Sequence, residues 1–290
     1  MFENQHVFNV VKMCQVLVAS KSGYYDWLKR PMTVEWMERQ EEREKLNQAI
    51  LEIFHGSYGT YGSPRIHKEL IRRGFEVCQK TVAIRMTELT LTAQPPKRKA
   101  ATTDSNHSQP VYPNVVARDF KAVELNKVWV ADITYIRHMG GWSYLASIMD
   151  LCSRKIIAYT LGDTMETELP LSALRKALAI RQPEERLIHH SDRGSQYCSK
   201  VYTKKLTDNG AVISMSRKGD PWDNACIESF HATLKKELIY RLGRVTREEA
   251  ERAVRNYIDN FYNTVRIHSS LGYLSPVEFE LQKIWEDLPA

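Results

Sequence analysis

Three acidic side chains, Asp132, Asp192 and Glu228, stand at places where packing alone gives an acid little reason to be. Asp132 lies in the middle of Val128-Trp129-Val130-Ala131-Asp132-Ile133-Thr134-Tyr135-Ile136, a β-branched and aromatic run that reads as a strand. Asp192 follows the short apolar run Leu187-Ile188-His189-His190, and Glu228 falls one turn into a long helix-forming stretch. A buried carboxylate is costly unless paired, protonated or bound to metal. Three together repel one another, and a multivalent cation makes the cluster favourable at neutral pH. Hard oxygen donors select Mg²⁺ or Mn²⁺ over zinc. Two such ions about 4 Å apart can activate a water or a 3′-hydroxyl and stabilise the leaving oxygen of an in-line displacement. The chemistry implied is phosphodiester cleavage and transfer, with the three acids as catalytic residues and metal ligands. Taken singly, each has a plainer reading: a satisfied strand residue, a turn residue before Arg193-Gly194, and an ordinary helix residue. Asp150 is a rival acid, but Asp-Leu-Cys-Ser-Arg-Lys reads as a turn, and Asp223 reads as part of a helix cap.

Residues around Glu228 fit a surface that meets DNA. Asn224, Glu228, His231 and Lys235 share one helical face, a composition suited to a phosphate backbone. Arg217 and Lys218 belong to a basic, Gly/Pro-punctuated loop leading into that helix. Trp222 in the same loop is either an aromatic contact or a packing anchor. His189 and His190 point to opposite faces of their strand by alternation, one packed and the other expected near the acids.

The elements that must position these residues alternate in type. Strands are expected over 128–136, 142–149, 155–161, 187–190 and 212–215, with Gly140-Gly141 as a hairpin turn. Helices are expected over 169–180, 201–208 and 224–240. Three antiparallel strands followed by helix, strand, helix, strand and helix is the order of an α/β, ribonuclease-H-like core with a five-stranded mixed sheet. Before it, helical spacing of Val10, Val11, Cys14, Leu17 and Val18, then a turn with Ser22 as N-cap, suggests a helix-turn-helix start. A long charged helix (35–54) and a second helix pair (65–73 and 81–89) follow. Arg65, Lys68, Arg72, Lys80 and Arg85 decorate this pair; they read either as DNA contacts or as the solvated face of a bundle. Gln94 to Phe120 holds four prolines, Lys97-Arg98-Lys99 and a polar stretch, and reads as a linker. The expected division is therefore 1–57 helical, 58–93 helix-turn-helix-like, 94–120 linker, 121–243 catalytic core and 244–290 helical extension.

The whole-chain figures narrow the class. The chain has 290 residues, 43% hydrophobic and 26% charged, with a formal net charge of +6 that weakly favours a polyanionic partner. Five cysteines without a Cys-x-x-Cys pair suggest neither a zinc knuckle nor a disulfide framework. No apolar run is long enough to span a membrane and no signal peptide is visible, so a cytoplasmic protein is expected.

The motifs around the three acids resemble the catalytic core of DDE integrases. More closely they resemble the second-frame product of bacterial insertion sequences of the IS-three family. The segments are Val-Trp-Val-Ala-Asp132-Ile-Thr-Tyr-Ile, His-His-Ser-Asp192-Arg-Gly-Ser-Gln-Tyr and Asp-Asn-Ala-Cys-Ile-Glu228-Ser-Phe-His. Fifty-nine residues separate Asp132 from Asp192 and thirty-five separate Asp192 from Glu228, in agreement with that family. The C-terminal segment around Asn-Phe-Tyr-Asn and Arg-Ile-His-Ser-Ser-Leu-Gly-Tyr extends the resemblance. It implies Mg²⁺ use, recognition of terminal inverted repeats and target DNA, and a homo-oligomer on DNA. It also implies a partnership or fusion with the first-frame product, whose long heptad zipper this chain lacks. Two other functions share these residues: an RNase H-like nuclease of another kind, and a non-catalytic DNA-binding regulator of transposition.

Overall fold

The computed structural model describes residues 1–29, 33–93, 110–120, 122–183, 186–217 and 220–286. The chain forms two compact units, Met1–Ala93 and Gln94–Ala290.

The first unit is helical: α1 (Val10–Val16), α2 (Lys21–Lys29), α3 (Val34–Gly56), α4 (Ser63–Arg72) and α5 (Gln79–Glu88). Asn9 caps α1, accepting from the Val11 amide, and Thr33 caps α3, accepting from Trp36. α2 starts one residue before the expected cap: Ser20, not Ser22, accepts the Gly23 amide at 3.2 Å. α1 stops at Val16; Leu17 and Val18 face solvent, Val18 with φ +51°, and Cys14 is the residue α1 buries. α4 carries Pro64 in its first turn, where a missing N–H costs nothing. Ile66 and Leu70 of α4, Val82 and Met86 of α5, and Ile50 and Ile53 of α3 are all buried. α3 packs on both α4 and α5, so the long charged helix belongs with the pair that follows it. Gly74, at φ +85°, turns the chain between α4 and α5, and His67 Nε2 lies 2.9 Å from the Val77 carbonyl across that turn.

The second unit is built on a five-stranded mixed sheet in the order β3-β2-β1-β4-β5. The strands are β1 (Val128–His138), β2 (Gly141–Asp150), β3 (Ile156–Gly162), β4 (Ile188–Ser191) and β5 (Val212–Met215). β1, β2 and β3 form an antiparallel meander, whereas β4 pairs parallel to β1 and β5 parallel to β4. The parallel steps need crossovers, and helices supply them: α6 (Glu168–Arg181), the single turn α7 (Ser195–Cys198) and α8 (Lys200–Thr207). Trp129 and Ala131 of β1, Leu174 and Ala177 of α6, Tyr202 and Leu206 of α8 and Met215 of β5 share one buried apolar cluster. α9 (Ala225–Glu237) packs on β1 and buries a stripe of Ile227, Phe230 and Leu234, of which Phe230 meets the Tyr262 ring.

Both flanks of the core are tied to it by long-range bonds. Residues 94–109 of the expected linker lie outside the described residues. Its later part is anchored: Pro113 O accepts the Met215 amide, and Ser214 Oγ accepts the Val115 amide at 2.9 Å. After the core come α10 (Arg247–Tyr257) and α11 (Pro276–Glu286). Arg266 and Tyr257 both donate to Glu237 at the end of α9, at 2.7 Å and 2.6 Å. Buried Glu280 of α11 accepts from Ser153, Lys155 and Arg181. The C-terminal helices are thus part of the catalytic unit's packing rather than an appendage to it.

Candidate active site

The sheet register brings the first two acids level. Val130 of β1 pairs with His190 of the parallel strand β4, and Asp132 and Asp192 each follow two residues later, at the same end of the two strands. Asp192 has just left β4, and its Oδ1 accepts the Gly194 amide at 2.8 Å. A Cβ on Gly194 would come within 3.0 Å of that oxygen, so glycine here is a matter of close approach. Glu228 enters from above on the first turn of α9.

The charges of these acids act on one another. Partial loss of water contact, then the negative charges of Asp132 and Asp192, push the Glu228 carboxyl up to about 7. Tyr197 of α7 lies behind them; burial and the charges around it, Asp132 and Asp192 among them, hold its phenol neutral. The hydroxyl is buried with no hydrogen-bond partner. Lys235 brings a cation to the edge of the cluster, 4.0 Å from the centre of the Tyr135 ring; burial lowers its pKa and Asp132 opposes that. Among the described residues no three His, Cys, Asp or Glu side chains are drawn together as a ready-made metal cage. The donor set nonetheless suits a hard divalent cation: three carboxylates on one patch, with repulsion that a cation would relieve.

The other residues singled out from the sequence divide into groups. Asn224 and His231 were expected on a DNA-facing surface, but they are 3% and 5% exposed. The reason is that the face they share with Glu228 and Lys235 is itself turned toward β1, where Lys235 lies over the Tyr135 ring. Asn224 donates to the Ala131 carbonyl at 3.2 Å, and His231 bridges Asp132 and Ser147. Arg217 is committed to Asp223, with its Nε and Nη2 each 2.9 Å from a carboxylate oxygen. Lys218 lies outside the described residues. Asp223 is no cap: it is fully buried and also accepts from Asn114 and from Arg118, at 2.9 Å and 2.8 Å, while Asp220 caps the turn before α9. Trp222 is 70% exposed, so it anchors no packing. Asp150 accepts the amides of Asn126, Cys152 and Ser153, as a turn acid should. In the helical unit Lys68 and Lys80 are exposed, Arg65 lies over the Tyr61 ring, and Arg72 and Arg85 pair with Glu69 and Glu88.

His189 and His190 do point to opposite faces, but both are fully buried. His189 Nε2 lies 3.1 Å from the Tyr202 hydroxyl, and burial followed by the neighbouring His190 brings its pKa down to about 3. His190 bonds Ser214 and Ser216 and is lowered to about 4, chiefly by burial, with Asp223 opposing the shift. The sequence reading passed over Ser147. Counting back from the Gly140-Gly141 turn pairs it directly with Asp132, which would have found it.

Known proteins share this arrangement along nearly the whole chain. Two integrase core domain models match residues 122–221 and 209–276, and an HTH-like domain model matches 40–99. The insertion element IS600 uncharacterized 31 kDa protein of Shigella sonnei is 42% identical over 267 residues, 92% of this chain and 97% of that one. The transposase InsF for insertion sequence IS3A of Escherichia coli K12 is 38% identical over 278 residues, 96% of each chain. The chain belongs to the IS3 family of insertion-sequence transposases. In this IS3-family chain the HTH-like match begins inside α3, as the packing of α3 on α4 and α5 requires. The second integrase match runs from the end of α8 through α10 to the start of α11, and so covers the part of the C-terminal region that packs on α9. Among solved structures, a simian T-cell lymphotropic virus intasome bound to a PP2A regulatory subunit covers 80% of this chain and 73% of its own. It is 14% identical with a TM-score of 0.46, a likeness too low to carry a conclusion. No helix among the described residues is long and apolar enough to cross a membrane.

Proposed function

We propose that this transposase cleaves DNA at 3′ ends and transfers the cut strands, acting at the terminal inverted repeats of its insertion sequence. The observation that carries the reading is the placement of Asp132 and Asp192 at the same end of the paired strands β1 and β4, with Glu228 on the first turn of α9 near enough to feel both charges. Acids this crowded, with one cation at their edge, fit a site completed by divalent metal. Asp132, Asp192 and Glu228 would hold two Mg²⁺ ions, with Mn²⁺ able to substitute. Bound there, the pair would activate a water or 3′-hydroxyl and stabilise the leaving oxygen.

The chain's own residues do the rest. β1 holds Asp132 on ladder-bonded backbone, and Asp192 directly follows the end of the neighbouring strand β4. The Gly194 amide orients Asp192. Lys235 supplies positive charge beside the site for a phosphate. DNA is the partner through the HTH-like helices and the catalytic unit. A homo-oligomer on paired ends, and joint action with a first-frame product in the bacterial cytoplasm, follow the family's pattern.

Incubation of the protein with labelled terminal-repeat DNA and Mg²⁺ tests the reading. We expect nicking and joining that EDTA abolishes and that the Asp132→Asn, Asp192→Asn and Glu228→Gln proteins lack. Full activity in any of the three would remove that residue from the site.

A further inference from the structure

We infer that His231 is the positioning residue that sets the spacing between the strand-borne and helix-borne acids of the metal site; this rests on the reading of Asp132, Asp192 and Glu228 as metal ligands. Three placements carry it. His231 lies three residues after Glu228, on an adjoining part of the same helical face, so fixing one fixes the other. Its Nδ1 lies 3.1 Å from Asp132 Oδ2, and its Nε2 lies 2.7 Å from Ser147 Oγ. Ser147 and Asp132 face each other directly across the β1–β2 ladder. One imidazole, 5% exposed, therefore staples α9 to two neighbouring strands at the level of the first acid.

The consequence for Asp132 is orientation. Its Oδ1 accepts the Ile133 amide at 2.8 Å and its Oδ2 meets the imidazole, so the carboxylate is held in one rotamer. A carboxylate has about four lone-pair sites, which leaves acceptor capacity on both oxygens for cations. A ligand so held loses little entropy on binding metal. Partners of this kind typically tune metal affinity by about ten- to a hundredfold. The Asp132 carboxylate only accepts, so it fixes the proton on Nδ1, and the Ser147 hydroxyl then donates to Nε2.

Two isosteres separate the two bonds. Asparagine ends its amide near the place of Nδ1, and glutamine near the place of Nε2. We expect His231→Asn, which loses only the Ser147 bond, to bind Mn²⁺ about threefold more weakly than the parent, and His231→Gln, which loses the Asp132 bond, about thirtyfold more weakly. His231→Gln should also regain end joining at raised Mn²⁺. Binding is read by calorimetry on the full chain without DNA, with urea midpoints to confirm folding. Equal losses in the two variants, or none, overturn the inference. If His231→Gln does not fold, Ser147→Ala decides: about threefold weaker Mn²⁺ binding supports the staple, and unchanged binding overturns it. Asp192→Asn run in parallel separates the two levels. If it binds Mn²⁺ like the parent, the metal site itself falls; if it loses binding while His231→Gln does not, the staple alone falls.

Discussion

Asp223 and Glu228 stand five residues apart, yet the fold treats them in opposite ways. Asp223 is fully buried, and side-chain hydrogen bonds from Arg217, with help from Arg118, hold its carboxyl well below the usual range. Glu228 reaches solvent and is pushed up to about 7 by desolvation and by two like charges. A buried acid with its cations supplied by the chain is a finished piece of structure. Glu228 instead shares its surroundings with two like charges, an arrangement that a bound cation would relieve. Glu237 and Glu280 repeat the first pattern: Glu237 meets Arg266 of the C-terminal segment, and Glu280 of α11 meets Lys155 and Arg181 of the core. The contrast separates acids that hold the molecule together from those proposed as metal ligands.

The comparison breaks most sharply on the acids themselves. Asp132→Asn or Asp192→Asn should lower strand joining by on the order of a thousandfold or more, since lost metal charge costs several kcal/mol in the transition state. The metal-free urea midpoint should not fall. A large drop in midpoint would make these acids structural after all.

Asp223→Asn should do the reverse. It leaves two guanidiniums facing a neutral amide, and stability should fall by about 2 kcal/mol in urea unfolding, a figure reduced because Arg118 and Arg217 are roughly half exposed. A variant as stable as the parent would deny Asp223 its structural role. Gly194→Ala probes the close approach to Asp192, whose carboxylate must shift by a few tenths of an ångström. Joining should fall about tenfold, because small misplacements of reacting groups are costly. Unchanged rates would mean that the carboxylate has room to spare.

The subtlest test is pH, on metal-free protein. His189 and His190 stay neutral in the fold down to about 3 and about 4, so below pH 6.5 the unfolded chain binds more protons and stability falls. Glu228 works the other way. Its folded pKa lies near 7 against an ordinary value of 4.5, so its cost is full above pH 7 and disappears as pH falls to 4.5. Glu228→Gln should therefore raise the urea midpoint at pH 8 and steepen its decline between pH 6.5 and 4.5. Superimposable curves for the variant and the parent in EDTA would show that the acids do not crowd.

Much of the site was legible in the sequence because its signals are local. A lone Asp in a strand of β-branched residues, an acid directly after an apolar run and an acid one turn into a helix can each be read within a few residues. The order of strands and helices then named the fold that joins them. The fates of Asn224, His231 and Asp223 could not be read that way. Their partners lie 93, 99 and 105 residues away, and a helical stripe does not say which of its neighbours turns inward. Trp222 and the histidine pair show the same limit: alternation gave the opposite faces of His189 and His190, but not that both would be sealed.

The amino-acid order by itself determined the element types, the three acids and their spacing, because periodicity, turn residues and side-chain charge are properties of short segments. Tertiary structure alone decided which acids are neutralised and which are left crowded. Charge and burial depend on groups within a few ångströms, and at that range sheet register and helix packing, not chain distance, choose the neighbours.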